Sequence, residues 1–226
     1  MNLFVPSLQK KEIFRALTSL GSTKAPGSDG FSALFNKYWN TVKNVVFHSI
    51  WDFFKKNHLL KEQNHTFIAL VPKQMGPFFR PISLCNIIYK IISKILANRF
   101  KSLLHHFIST LQSAFVPSRN IQDNSILAHE LLHSLKLKKK KKGEEDLWLS
   151  YQDRYGKSFG FHPILTNWVP ICISSPSLSI LINDSPFGLF TSAKGLRQGD
   201  HLSPFLFILG TKVLSRLFQR EEFLVF

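Results

Sequence analysis

The sequence predicts an α+β fold. Three observations carry that reading. Several long stretches place apolar residues at helical spacing. Two short β-branched runs are bounded by turn formers. Apolar content is 44%, with 22 Phe in 226 residues, which is ample for a packed core.

The elements follow in chain order. Residues 7–20 read as an amphipathic helix, with Ser7 as N-cap, Leu8, Ile13, Leu17 and Leu20 on one stripe, and Gly21 as the stop. Lys24-Ala25-Pro26-Gly27-Ser28-Asp29-Gly30-Phe31 is a loop of turn formers. A second helix over 41–56 is expected to bury Val42, Val45, Val46, Ile50, Phe53 and Phe54. Residues 66–71 are strand-like and Pro72 ends the run. The clearest helix covers 86–107. Ile87, Ile88, Ile91, Ile92, Ile95, Leu96, Phe100, Leu103 and Leu104 form its stripe, while Lys90, Lys94, Arg99 and Lys101 lie mostly off it. A turn at 117–120 leads into a helix over 122–137, and Lys138 to Lys142 with Gly143 form a basic low-complexity run, read as a solvated loop or frayed helix end. Beyond it the pattern is irregular until Ile180-Leu181-Ile182, a strand entering an Asn183-Asp184 turn. The last helix is expected over 204–218.

Charge narrows the partners. Lys+Arg 29 against Asp+Glu 14 leaves +15, which favours polyanions such as nucleic acid, nucleotides or an anionic surface. Cys85 and Cys172 stand far apart with no CxxC pair, so neither a zinc finger nor a disulfide framework is supported. Residues 1–3 lack a basic segment leading into a long apolar run, and no apolar stretch is long enough to span a bilayer, so an intracellular chain, nuclear or cytoplasmic, is expected.

One motif is a distraction. His129-Glu130-Leu131-Leu132-His133 fits the HExxH pattern of zinc proteases, in which two His one turn apart hold the metal beside a Glu base. A third ligand is then needed, and the later histidines, His162 and His201, have no ligand context. The same helix must bury Ile126, Leu127, Leu131 and Leu132, so zinc is not assigned.

Three further blocks read together. The first is Phe67-Ile68-Ala69-Leu70-Val71-Pro72-Lys73 followed by Phe79-Arg80-Pro81-Ile82-Ser83-Leu84-Cys85-Asn86. The second runs from Gln112-Ser113-Ala114-Phe115 through Pro117-Ser118-Arg119-Asn120 to Asp123-Asn124. The third is Lys194-Gly195-Leu196-Arg197-Gln198-Gly199-Asp200-His201-Leu202-Ser203-Pro204. In this order, behind the 24–31 loop, they closely resemble the reverse transcriptase domain of plant LINE-type (non-LTR) retrotransposons. The resemblance runs from about residue 7 to 217, with a degenerate patch at 143–159.

The resemblance implies a right-hand polymerase: an N-terminal helical segment at 1–60, then partial fingers and an incomplete antiparallel palm sheet at 61–226. The implied chemistry is nucleotidyl transfer from a dNTP to a DNA primer on an RNA template, with two magnesium ions held by palm carboxylates. Lys73 and Arg80 match positions that hold the triphosphate, and bidentate Arg and point-charge Lys suit phosphate oxygens. A Lys closing a strand and an Arg before Pro81 also sit on a tight connection, where side chains can reach a ligand. Gly195, Arg197, Gln198 and Gly199 match the segment lining the nucleotide and template side, where glycines allow close backbone approach. Read from the residues alone, the same segment is a Gly-bounded turn with Asp200 or Ser203 capping the last helix. Arg119 with Asp123 and Asn124 reads mainly as a helix cap. At 201 this chain has His where the family usually has Pro.

Carboxylates are scarce. The seven Asp residues are Asp29, Asp52, Asp123, Asp146, Asp153, Asp184 and Asp200, and no two are adjacent. The family's aromatic-x-Asp-Asp hairpin is expected beyond the last helix and is not found before Phe226, so the sequence reads as a truncated copy. Asp146 and Asp153 are the remnant candidates for the other metal-binding Asp, with Asp146 one residue out of register, which on a strand reverses the face. The expectation is an inactive fragment that still binds RNA or DNA. The alternatives are a purely non-enzymatic binding fragment or an unstable pseudogene product.

Overall fold

The computed structural model describes residues 7–22, 24–73, 78–104, 163–192 and 195–222. The expected helix over 122–137, the basic run, the HExxH motif, Arg119, Asp123, Asn124, Asp146 and Asp153 lie outside them.

Helix α1 is Lys10–Thr18 and buries Ile13, Ala16 and Leu17, as the stripe predicts. It starts later than expected: Gln9 occupies the N-cap without a side-chain bond, so Ser7 is not the cap. A 3-10 turn, Ala33–Tyr38, leads into α2, Trp39–Lys56. That helix buries Val46, Ile50, Phe53 and Phe54 and stops at Asn57, whose φ of 52° is the left-handed cap conformation. Val45 is a correction, because it lies 69% exposed on the outer side of α2.

Strands β1, Thr66–Pro72, and β2, Phe79–Cys85, form a hairpin in full register from Thr66 opposite Cys85 to Pro72 opposite Phe79. The connection expected around Arg80 is therefore strand. Pro81 fits because β2 is an edge strand: the amides of alternate residues 81 and 83 face outward, and proline lacks the one that has no ladder partner. Helix α3, Ile87–Leu104, buries Ile87, Ile91, Ile92, Ile95, Leu96 and Phe100, together with Tyr89.

Helix α4, Pro163–Ser174, falls in the stretch whose sequence pattern is irregular, and strand β4, Ser185–Thr191, follows the expected turn with no element expected there. Strand β3, Ser177–Ile182, joins β4 through Asn183 and Asp184, with φ of 50° and 60°. Two positive φ angles match the twist of a tight hairpin. The last helix, α5, is Ser203–Glu222, longer than the 204–218 expected.

The sheet order is β2-β1-β3-β4. Both hairpins are antiparallel, but β1 and β3 run parallel from Thr66 opposite Leu178 to Ala69 opposite Leu181. The sheet is thus mixed rather than antiparallel, because helices intervene between β2 and β3 and bring the chain back on the other side of β1. One core joins α1 to α5 with Leu59 and Cys85. Strand β1 runs from buried Thr66 to exposed Leu70, Val71 and Pro72, and β2 mirrors it. The first hairpin is therefore rooted in the core at one end and projects from it at the other. No helix among the described residues is long and apolar enough to cross a membrane.

Candidate nucleic-acid interface

Three segments far apart in sequence meet where β2 passes into α3. The first is the 24–31 loop. Gly27 lies so close to this junction that a Cβ there would sit 2.5 Å from the Asn86 amide nitrogen, the Asn86 Oδ1 and the Cys85 carbonyl carbon. Asn86 Oδ1 accepts from the Ser28 hydroxyl at 2.9 Å and the Asp29 amide at 3.1 Å, while its Nδ2 donates to the Glu62 carbonyl at 2.8 Å. Asp29 answers by accepting from the Ile87 amide at 2.8 Å, capping the start of α3. Lys90 donates to the Ala25 carbonyl at 2.8 Å.

The second segment is 195–200, which docks on the outer edge of β2: the Ser83 amide donates to the Gln198 carbonyl at 2.9 Å. Gly199, with φ of 99°, lies on that edge beside Ser83 and Ile82. Arg197 turns inward. Its guanidinium stacks 3.9 Å above the Tyr89 ring and donates to Asn64 Oδ1, Thr66 Oγ1 and the Cys172 carbonyl, at 2.9, 3.1 and 2.8 Å. Asp200, 3.6 Å from that guanidinium, accepts from Tyr89 at 2.6 Å and from the Leu202 amide at 3.1 Å. Burial works against the charge on Arg197, but Tyr89, Cys85 and Asp200 together hold its pKa above the ordinary value. Burial pushes the Tyr89 hydroxyl and the Cys85 and Cys172 thiols up, so all three stay neutral.

The third segment is the β1–β2 hairpin. Arg80 sits opposite Val71, and alternation puts Arg80, Ile82, Val71 and Lys73 on one face. Lys73 and Arg80 are exposed at the free end, with the Lys73 ammonium 6.0 Å above the Phe78 ring. Of the predicted nucleotide and template group, Lys73 and Arg80 thus sit at the free end of the hairpin, while Gln198 and Gly199 lie along the outer edge of β2 at Ser83. Gly195, with φ of 88°, lies open at the start of the docked segment, and Arg197 alone faces the interior.

Sequence reading missed a basic cluster. Lys90, Lys94 and Lys101 recur at i, i+4 and i+11, within one narrow stripe of α3. Burial lowers the pKa of Lys90, and Lys24 lowers it further. Burial likewise lowers that of Lys94, with Lys24 and Lys101 adding to it. His201 adjoins them: burial, then Lys94 and Lys24, bring it down to about 4, and its buried Nδ1 has no partner. The signal was present as the lysines off the apolar stripe; the contribution of Lys24 comes only from the loop docking.

Asp29 and Asp200 in this region face inward, whereas Glu62 is exposed. Among the described residues no three His, Cys, Asp or Glu side chains are grouped to hold a metal. Asp29 caps α3, Asp200 holds Tyr89 and Arg197, Glu12 pairs with Arg99, and Asp52 pairs with Lys56. Magnesium needs convergent carboxylate oxygens, so these residues do not fit it and no step is derived through it.

Residues 71–226, more than half of the chain, match the family described as reverse transcriptase (RNA-dependent DNA polymerase). The chain is 29% identical over 224 residues to the uncharacterized 149 kDa protein of transposon TX1 from Xenopus laevis, an alignment covering 93% of this chain and 17% of that protein. It is 58% identical over 45 residues to an uncharacterized mitochondrial protein of Arabidopsis thaliana, covering 20% of this chain and 37% of that protein. The chain therefore spans well under half the length of each.

Proposed function

Because the chain belongs to the reverse transcriptase (RNA-dependent DNA polymerase) family, we propose that it supplies fingers and part of the palm of a plant LINE-type retrotransposon polymerase, and that on its own it grips RNA template and DNA primer without extending them. Residues 1–60 precede the fingers in this reading, and 61–226 form partial fingers and palm. Lys73 and Arg80 take triphosphate oxygens, with Gln198 and the Gly195 and Gly199 backbone beside the base and sugar. Arg197 acts from beneath by holding that segment to the core.

The observation that carries this reading is the orientation of charge at the β2–α3 junction. Asp29 and Asp200 are turned inward as structural acceptors, while burial, with Lys24 nearby, lowers the pKa of Lys90, and burial, with Lys24 and Lys101 nearby, lowers that of Lys94. Such crowding is unfavourable in the free protein and is relieved by a polyanion. Four phosphate contacts on a single strand imply a log–log salt slope of about −3, or a loss of roughly fiftyfold between 50 and 200 mM salt.

The test is primer extension on poly(rA)/oligo(dT) with magnesium or manganese, beside filter binding of the same RNA at both salt levels. We expect salt-sensitive binding without extension, and weaker binding when the four lysines become glutamine. Extension would overturn the inactivity and assign a metal role to Asp146 or Asp153. A second reading, an unstable product, is favoured by the exposed edge strand β4, where Phe187 and Leu189 are 70% and 75% exposed. Rapid proteolysis of purified protein would select it.

A further inference from the structure

A second feature lies on the opposite part of the chain, outside residues 71–226. The outer side of α1 and the first turns of α2 enclose an open cleft of about 280 Å³ lined by Lys10, Lys11, Phe14, Arg15, Trp39 and Phe47. The three rings form a continuous wall. Phe14 and Trp39 are 5.2 Å apart and tilted by 44°, and Trp39 meets Phe47 edge-on at 5.2 Å. Lys10 stands 5.5 Å above the Phe47 ring. Lys11 and Arg15 are exposed and carry no described carboxylate partner.

Two details separate this cleft from an ordinary solvated helix face. Lys10 and Lys11 sit in the first turn of α1, where the helix dipole favours acids and disfavours cations. The acid of that turn, Glu12, is drawn to the other side by paired bonds to Arg99 at 2.7 and 2.8 Å, leaving the cationic rim unopposed. The volume is near the lower bound for small-ligand sites, roughly 300 Å³, which suits one flat ring and its sugar. Aromatic platforms flanked by cations are how single strands are held without sequence reading, bases on rings and phosphates on Lys or Arg.

We propose that this cleft is an accessory site for single-stranded nucleic acid, in which one base stacks against Phe14 and Trp39 while Lys10, Lys11 and Arg15 hold the neighbouring phosphates. It acts apart from the β2–α3 interface and does not depend on it.

The test uses labelled oligouridine and the full chain, read by fluorescence anisotropy. Three variants are compared: Lys10→Gln/Lys11→Gln/Arg15→Gln, Phe14→Ala, and Lys90→Gln/Lys94→Gln/Lys101→Gln as the separate control. Phe14→Ala should weaken binding about tenfold with an unchanged thermal midpoint. The α1 charge variant should flatten the salt slope by about 2, from three phosphate contacts. Oligouridine should also quench tryptophan emission in the parent, and Trp39→Phe should abolish that quenching while keeping the ring wall. Loss with the α3 variant alone would overturn this proposal and leave the β2–α3 interface standing. So would an effect of the charge variant without one from Phe14→Ala, which means a basic surface without stacking. Comparable binding of oligothymidine supports the proposal, since the ring stack is common to both strands, whereas preference for duplex RNA would overturn it.

Discussion

Replacing Gly27 by alanine tests whether the 24–31 loop is clamped on the β2–α3 junction. The added Cβ would stand 2.5 Å from three atoms, two of them main-chain and the third the Asn86 Oδ1 that bonds Ser28 and Asp29. None can yield cheaply. If the loop stays and the junction strains, overpacking costs about 1–3 kcal/mol. If the loop lifts away, the chain loses the Asp29 cap of α3, about 1 kcal/mol, and the Ser28, Asp29 and Lys90 hydrogen bonds, about 1 kcal/mol each and partly restored by water. The lower entropy of unfolded alanine returns about 0.5 kcal/mol. The two routes converge on a net loss of about 2 kcal/mol. Urea unfolding followed by circular dichroism should show the midpoint falling by about 1 M at an m-value near 2 kcal/mol/M. Asp29→Ala, which removes the cap and the exposed local bond from the Phe31 amide, should cost about 1 kcal/mol, and the double variant should lose less than the sum because both release one loop. If Gly27→Ala were as stable as the parent, or lost less than Asp29→Ala, the clamp would be refuted.

Three further outcomes follow from the same geometry. Arg197→Met should cost about 3–5 kcal/mol, because it strands Asp200 and the acceptors at Asn64 and Cys172 beside an apolar stem; Arg197→Lys should recover little, since one ammonium cannot span those acceptors, and urea midpoints check both. Glu12→Gln should cost about 2 kcal/mol, since the Arg99 side chain is 9% exposed and stacks over Phe54 and Trp168; a double-mutant cycle with Arg99→Gln should give a coupling above about 1 kcal/mol. His201, brought from 6.5 to about 4 by burial and then by Lys94 and Lys24, is neutral in the fold and binds a proton more readily when unfolded. Stability should therefore be full above about pH 6.5 and fall as pH drops towards 4, by about 1 kcal/mol at pH 5 after allowance for partial exposure; in His201→Leu that part of the slope should vanish.

Periodicity sufficed where burial is one-sided. The Ile87–Phe100 stripe is the centre of the core because every third or fourth residue is a large aliphatic, and the lysines between them had nowhere to go but outward. It failed where burial does not alternate. Strand β4 is exposed along its length, so nothing in Ser185–Thr191 marks a buried face, and α4 carries Pro170 in a nearly all-apolar segment with little polar contrast. Val45 was misplaced because it lies about 100° around α2 from Val46, on the flank away from Ile50, Phe53 and Phe54, so only Val46 joins the core. Of the candidate site, Lys73, Arg80, Gln198 and Gly199 were legible as motif positions, but the docking of Gln198 and Gly199 on β2 rests on the bond from Ser83 to Gln198, a contact between segments more than a hundred residues apart. Nothing local assigned Arg197 to the interior. Its neighbours in sequence are a turn, and its partners come from α3, α4 and the approach to β1.

That division explains how a docked segment can present a surface without using its own charges to do so. Arg197 and Asp200 meet inside and largely cancel, and Tyr89 is held between them. Their mutual satisfaction fixes the backbone of 195–200 against β2, which is what keeps the Gln198 side chain and the open glycines outward. The 24–31 loop works similarly, with Asp29 and Asn86 locking inward and Lys24 left beside Lys90 and Lys94. Acids consumed in anchoring the two segments cannot neutralise the lysines, so the contacts that stabilise this fold also leave its outer face cationic. A variant that frees Asp29 or Asp200 should then weaken RNA binding twice over, by loosening the segment and by returning a negative charge to the surface.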